Sequence, residues 1–228
     1  MSYQALTADE VFVLYRTVTE NAGLAVIVYD NPGTTHFTFT DGLYGRIARL
    51  PGIASIKVPG GPGEAQGDVQ ATRAMAPQHV TIGVWGDAFA ATGLNAGCDA
   101  WYPVVGGTLP RLALGIVRAA QEGRANEAIA ALERPAPLGN LFKEFGGSVC
   151  VVAAIAEHLG LVQRRSLPLP IQGLEGSQRA RVAEVVNALG VAGQRRAPRV
   201  LHRRFVKPAP RTRPGLYRQR CNSDQGGT

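Results

Sequence analysis

The chain has 228 residues, 24 of them Lys or Arg against 17 Asp or Glu, a net charge of +7, with 45% hydrophobic residues and three cysteines. That apolar share supports a packed core and excludes disorder throughout, and three widely spaced cysteines exclude a disulfide-stapled fold. No apolar run approaches the roughly 18 residues a membrane span needs, the longest being residues 149–156. No basic segment with an apolar core follows Met1, so no secretory signal is expected and a reducing cytoplasm is the default compartment.

The first element is a helix over residues 7–21. Thr7 and Glu10 form a capping box, Val11, Leu14, Tyr15 and Val18 share one face, and Gly23 stands at the stop. Residues 24–29 (LAVIVY) read as a strand buried on both faces. After an Asn-Pro-Gly turn, Thr40 and Asp41 can cap a helix to residue 50, and residues 53–58 (IASIKV) read as a second strand. A Gly/Pro loop and a helix over 68–75 follow. The third strand is 80–85 (VTIGVW), with a short helix over 88–94, and the fourth is 100–105 (AWYPVV), weakened by Pro103. Helices over 109–121, 125–132, 142–159 and 177–189 complete the body. Four alternations of strand and helix predict a parallel α/β sheet, in a doubly wound fold or part of a (β/α)8 barrel. The glycine fingerprint of a dinucleotide binder is missing after the first strand. Gly60-Gly61-Pro62-Gly63 reads as a loop rather than a phosphate cradle.

The charge is unevenly placed. From residue 191 onward there are ten basic side chains and one acid, a net of +9, whereas the preceding 190 residues hold 14 basic and 16 acidic ones, a net of −2. The terminal segment also carries Pro198, Pro208, Pro210 and Pro214 and is expected to be disordered. The folded body is therefore not expected to bind nucleic acid, and the tail offers non-specific electrostatic contact at most.

Chemistry gathers at two strand ends. Tyr29 ends the first strand and Lys57 the second, which places both at the C-terminal edge of the sheet, where parallel α/β proteins carry their active sites. Burial there would lower the lysine's pKa and supply the neutral amine that attacks a ketone, and a neighbouring tyrosine could shuttle the protons. Position alone favours the plainer arrangement, a lysine reaching to solvent and a tyrosine in the core. No His, Cys, Asp and Glu set has metal-ligand spacing, so no metal is expected. Cys98 and Cys150 read as small core residues, Cys221 as a free thiol, and His36 as a solvated turn residue.

The segments Val28-Tyr29-Asp30-Asn31-Pro32-Gly33 and Ile56-Lys57, the latter lysine 28 residues after the tyrosine, resemble the dihydrodipicolinate synthase/N-acetylneuraminate lyase family of class I aldolases. The resemblance continues through Gly86-Asp87, through Gly97-Cys98-Asp99-Ala100-Trp101-Tyr102-Pro103-Val104 and through Ala119-Ala120-Gln121-Glu122-Gly123. It implies a (β/α)8 barrel enzyme in which Lys57 forms a Schiff base with pyruvate or a related 2-oxo acid and Tyr29 relays protons. Gly86 and Tyr102 would line the pocket, and no cofactor beyond the covalent Schiff base is implied. Thr34 stands where synthases proper have an arginine for the second substrate's carboxylate, which favours another aldehyde or cleavage of a 2-oxo acid.

The sequence resembles the C-terminal portion of the family only, its last four βα units and C-terminal helices. The expected organisation is a half-barrel over residues 1–123, a helical region over 124–192 and a basic tail over 193–228. A half-barrel of this kind is expected to be a poor catalyst alone and to pair with itself or another chain, since such a barrel takes roughly 250 residues. Two further readings stay open: a non-catalytic subunit, and a nucleic-acid-contacting protein using the tail.

Overall fold

The computed structural model describes residues 3–60 and 65–191, all within the unit Met1–Gly193. The disorder, domain role and charge contacts expected of the tail lie outside the described residues. Four strands, β1 (Val26–Tyr29), β2 (Ile53–Pro59), β3 (Thr81–Trp85) and β4 (Ala100–Tyr102), form one parallel sheet in the order β1-β2-β3-β4. Each strand is followed by helix, as the alternating pattern predicts: α1 (Ala8–Ala22) precedes the sheet, α2 (Pro32–Thr35) and α3 (Asp41–Ala48) follow β1, α4 (Ala65–Met75) follows β2, α5 (Ala90–Asn95) follows β3 and α6 (Pro110–Gln121) follows β4. The helical region holds α7 (Ala125–Glu133), α8 (Ala136–Glu144), α9 (Ser148–His158) and α10 (Gly176–Ala188).

Local chemistry sets several boundaries. At the start of α1 the Glu10 N–H donates to Thr7 Oγ1 at 3.3 Å and the Thr7 N–H donates to Glu10 Oε2 at 2.7 Å, and Gly23 closes the helix at φ +63°. Thr40 accepts from the Leu43 N–H at 3.3 Å to start α3. β4 stops at Tyr102, three residues short of the expected end, because Pro103 has no N–H to give the ladder. The helix expected over 142–159 is two helices: Gly146 and Gly147 take φ of +72° and +142°, which breaks α8 from α9.

Successive strand residues point to opposite sides of the sheet. One side meets the helices and is the core, with Val28, Ile56, Ile82 and Val84 at most 1% exposed. Complete burial of each contributes about 1.5–3 kcal/mol. Ile47, Ile116 and Ile155 complete that core from the helical layer. The other side carries Ile27, Tyr29, Ser55, Lys57, Gly83 and Tyr102. β1 was expected to be buried on both faces, and it is not: Ile27 and Tyr29 are 47% and 42% exposed, because β1 is an edge strand that pairs with β2 alone among the described residues. α1 likewise leaves Val13, Leu14 and Val18 exposed. No helix among the described residues is long and apolar enough to cross a membrane.

Candidate active site

Strand register brings the two predicted residues side by side. Tyr29 is the direct partner of Lys57, and Lys57 the direct partner of Gly83. Lys57 Nζ lies 3.6 Å from the centroid of the Tyr29 ring and 5.6 Å from that of Tyr102, so the amine sits between two aromatic faces. The Tyr29 ring in turn meets Trp85 edge-on at 5.8 Å, and the Trp85 indole N–H donates to the Asp30 carbonyl at 2.8 Å. The Asn31 amide donates to the Tyr29 hydroxyl oxygen at 3.2 Å, which leaves the phenol's own proton free to move.

Charge tuning follows from these surroundings. Burial lowers the Lys57 pKa below the ordinary lysine value, with the nearby Asp87 carboxylate opposing that shift. Asp87 stands just past β3, and burial raises its pKa, while the N–H groups of Val104 and Val105, donating at 2.8 and 3.0 Å, and the Lys57 charge pull it down. Those two bonds tie the loop after β4 to the turn after β3. Asp87 appears in the sequence only as part of a Gly-Asp pair; its role as a clamp needed the loop geometry.

The other expected site residues fall as follows. Gly86 sits between β3 and the turn at Asp87–Phe89 with φ +90°, a backbone position that strains any other residue. Tyr102 joins the Lys57 cluster, but its hydroxyl turns inward and donates to Ser55 Oγ at 2.7 Å. Thr34 is exposed in the one-turn helix α2, where its N–H donates to the Asn31 carbonyl at 3.0 Å, and among the described contacts it does not join the cluster. His36 is exposed at the end of α2 with φ +56°. Cys98 is buried as expected, and burial pushes its thiol up to about 11, whereas Cys150 is only half-buried and its thiol points to the Gln172 carbonyl at 3.3 Å. Among the described residues no group of three or more His, Cys, Asp or Glu is gathered as metal ligands would be.

Ser55 and Gly83 were missed in the sequence. A signal was present in the period of two, which puts Ser55 on the Lys57 face of β2, but nothing local says that a tyrosine from β4 reaches it. Behind the site, Tyr44 donates to Asp30 Oδ2 at 2.5 Å, and Asp30 is 5% exposed with Oδ1 unpartnered among the described residues. Burial raises the pKa of Asp30, opposed by the Tyr44 bond, and burial together with Asp30 raises that of Tyr44.

The fold and site define a parallel α/β protein whose partly buried lysine amine lies against a tyrosine ring at the C-terminal strand ends. The dihydrodipicolinate synthetase family matches residues 3–189, and the chain belongs to that family. It is 30% identical over 190 residues to the 4-hydroxy-tetrahydrodipicolinate synthase of Methylococcus capsulatus, a match that covers 83% of this chain and 63% of that protein. Among solved structures it superposes on a dihydrodipicolinate synthase of Agrobacterium tumefaciens with a TM-score of 0.76 and 39% identity, covering 83% of this chain and 63% of the other. The dihydrodipicolinate synthase of Acinetobacter baumannii, complexed with pyruvate, shares the fold at a TM-score of 0.71 and 21% identity, again with 83% and 63% covered. The chain thus spans just under two thirds of the length of these relatives.

Proposed function

We propose that this chain carries the amine-bearing part of a class I aldolase or lyase site for pyruvate or a related 2-oxo acid, with Lys57 as nucleophile and Tyr29 as proton relay. The observation that carries the reading is the Lys57–Tyr29 pair itself, register partners on adjacent strands with the amine 3.6 Å from the ring. Partial burial leaves more of the amine neutral. The neutral nitrogen adds to C2 of the 2-oxo acid, and Tyr29 passes a proton to the carbinolamine oxygen, which departs as water and leaves a protonated imine. The imine draws electrons from C3, so loss of a C3 proton gives an enamine that adds to an aldehyde carbonyl. Run backwards, the same steps break the C3–C4 bond. The imine is the electron sink, so the reading calls for no cofactor. Gly86 at the same strand edge and Thr34 in the turn after Tyr29 are proposed to contact substrate, and Thr34 in place of a cationic side chain disfavours a second carboxylate there.

We further propose that the sheet is the second half of a (β/α)8 barrel spanning residues 1–123, with the helical region over 124–192 appended. Two observations support this: β1 and β4 each pair on one side only among the described residues, and the face bearing Ile27, Tyr29 and Lys57 is open. Closing it takes four more strands, from the same polypeptide or from another copy or chain.

Borohydride reduction in the presence of pyruvate, followed by peptide mass mapping, tests the function. The chain alone is expected to trap pyruvate at Lys57 slowly, because its site is open to water on one side. Adding a polypeptide with the other four βα units should accelerate the trapping. Equal labelling of Lys57 and the exposed Lys143 under both conditions would sink the reading.

A further inference from the structure

We propose that Tyr102, held across Gly83 by Ser55, is a positioning residue that fixes Lys57 against Tyr29 and shields its amine from water on the side of β3 and β4; this rests on the reading of Lys57 as the nucleophile. The Tyr102 backbone is in register with Trp85 and Pro59, one layer nearer the strand ends than the row Lys57–Gly83–Ala100. Its side chain nevertheless ends on Ser55, which is in register with Thr81, one layer on the other side of that row. The ring therefore crosses the Lys57 layer, and its path runs over Gly83.

That path exists only because residue 83 has no side chain. A Cβ at Gly83 would stand 2.3 Å from Tyr102 Cε2 and 2.9 Å from Cδ2. Glycine inside a strand gives up side-chain packing and marks the close approach of another group, which here is the Tyr102 ring. Ser55 is 3% exposed and donates its own hydroxyl proton to the Thr81 carbonyl at 2.9 Å, so its oxygen is oriented to accept from Tyr102. The phenol is thereby committed to the interior and is not available to hydrogen-bond a substrate at the strand ends.

Two effects of the ring on Lys57 oppose one another. Its π-face favours the ammonium, and its bulk excludes water and favours the neutral amine. At 5.6 Å the ring is near the outer limit of about 6 Å for a cation–π contact and Tyr29 at 3.6 Å holds the closer face, so exclusion of water dominates. The titratable groups set against Lys57 among the described residues are Tyr29 on β1, Tyr102 on β4 and Asp87 after β3.

The test reads the amine itself, with no 2-oxo acid present. The full chain is pulsed with trace acetic anhydride across a pH series, and acetylation of the Lys57 peptide is followed by mass spectrometry against a free-lysine peptide. Tyr102→Ala should move the labelling midpoint upward and slow labelling at pH 7.5 severalfold, a full unit being tenfold. Gly83→Ala should act in the same direction, and in the Tyr102→Ala background it should add nothing. Tyr102→Phe keeps the ring and should restore most of the wild-type profile, and Ser55→Ala should match Tyr102→Phe with no further loss when the two are combined. If circular dichroism shows Tyr102→Ala unfolded, Tyr102→Leu carries the same expectation.

An unchanged midpoint in the folded Tyr102 variant overturns the proposal, and so does a Gly83→Ala effect of equal size with and without the ring. A chain that shows these shifts yet never traps pyruvate refutes the aldolase reading while upholding the role of Tyr102. One that traps pyruvate but shows no shifts does the reverse.

Discussion

Tyr44→Phe isolates the buried acid behind the site. Asp30 is 5% exposed, its Oδ1 has no partner among the described residues, and Oδ2 accepts only from Tyr44 at 2.5 Å. Removing the phenol hydroxyl leaves both carboxylate oxygens unpartnered, a loss of about 1.5–3 kcal/mol for a hydrogen bond to a charged group. For a domain of this size that corresponds to roughly 3–12 °C in Tm.

The pH dependence carries the diagnosis. Burial holds the Asp30 pKa above its unfolded value, so between the two values the folded state binds more protons than the unfolded one and stability falls as pH rises. Tyr44 opposes that shift, so its removal raises the folded pKa further and deepens the penalty above the unfolded pKa. Below that value Asp30 is protonated in both states and the added penalty vanishes. Urea melts should therefore show a loss that is largest near pH 7.5 and shrinks toward pH 4, with Asp30→Asn removing the difference. A loss that is the same at both pH values, or below about 0.5 kcal/mol throughout, would refute the argument.

Asp87→Asn should give the Lys57 amine a lower labelling midpoint, since the carboxylate that favours the ammonium is gone, and the same pH-series acetylation reads it. The same change replaces an acceptor of two backbone N–H groups, so stability in a denaturant melt should also fall, by about 1.5–3 kcal/mol. Gly60→Ala places a Cβ 2.5 Å from Phe89 Cβ and 2.9 Å from the Trp85 carbonyl, and should cost about 1–3 kcal/mol in a denaturant melt. Thr40→Ala removes the acceptor for the Leu43 N–H at the start of α3 and should cost about 1 kcal/mol by the same measurement.

Much of the fold was legible along the chain because its signals are local. The Thr7–Glu10 capping box, the β-branched runs ending at Tyr29 and Lys57, and Pro103 each act within a few residues. They specify where elements begin and end and in what order they come. The alternation of strand and helix was enough for a parallel sheet, and the strand ends were enough to single out Tyr29 and Lys57. The double glycine at 146–147 was equally local, and it divides a stretch whose apolar pattern had read as one helix.

The amino-acid sequence by itself thus determined the elements, their order and the residue types at the strand ends. Only the tertiary structure decided that Tyr29 faces Lys57 in register, that Tyr102 leans back over Gly83 to Ser55, and that Asp87 holds the loop after β4. Those pairings join residues 17 to 47 positions apart. Register and side-chain lean depend on what the neighbouring strand presents, and no pattern within one segment contains that information. The open side of β1 has the same origin: a run of apolar residues states that a strand can be buried on both faces, and the packing of other segments decides whether it is.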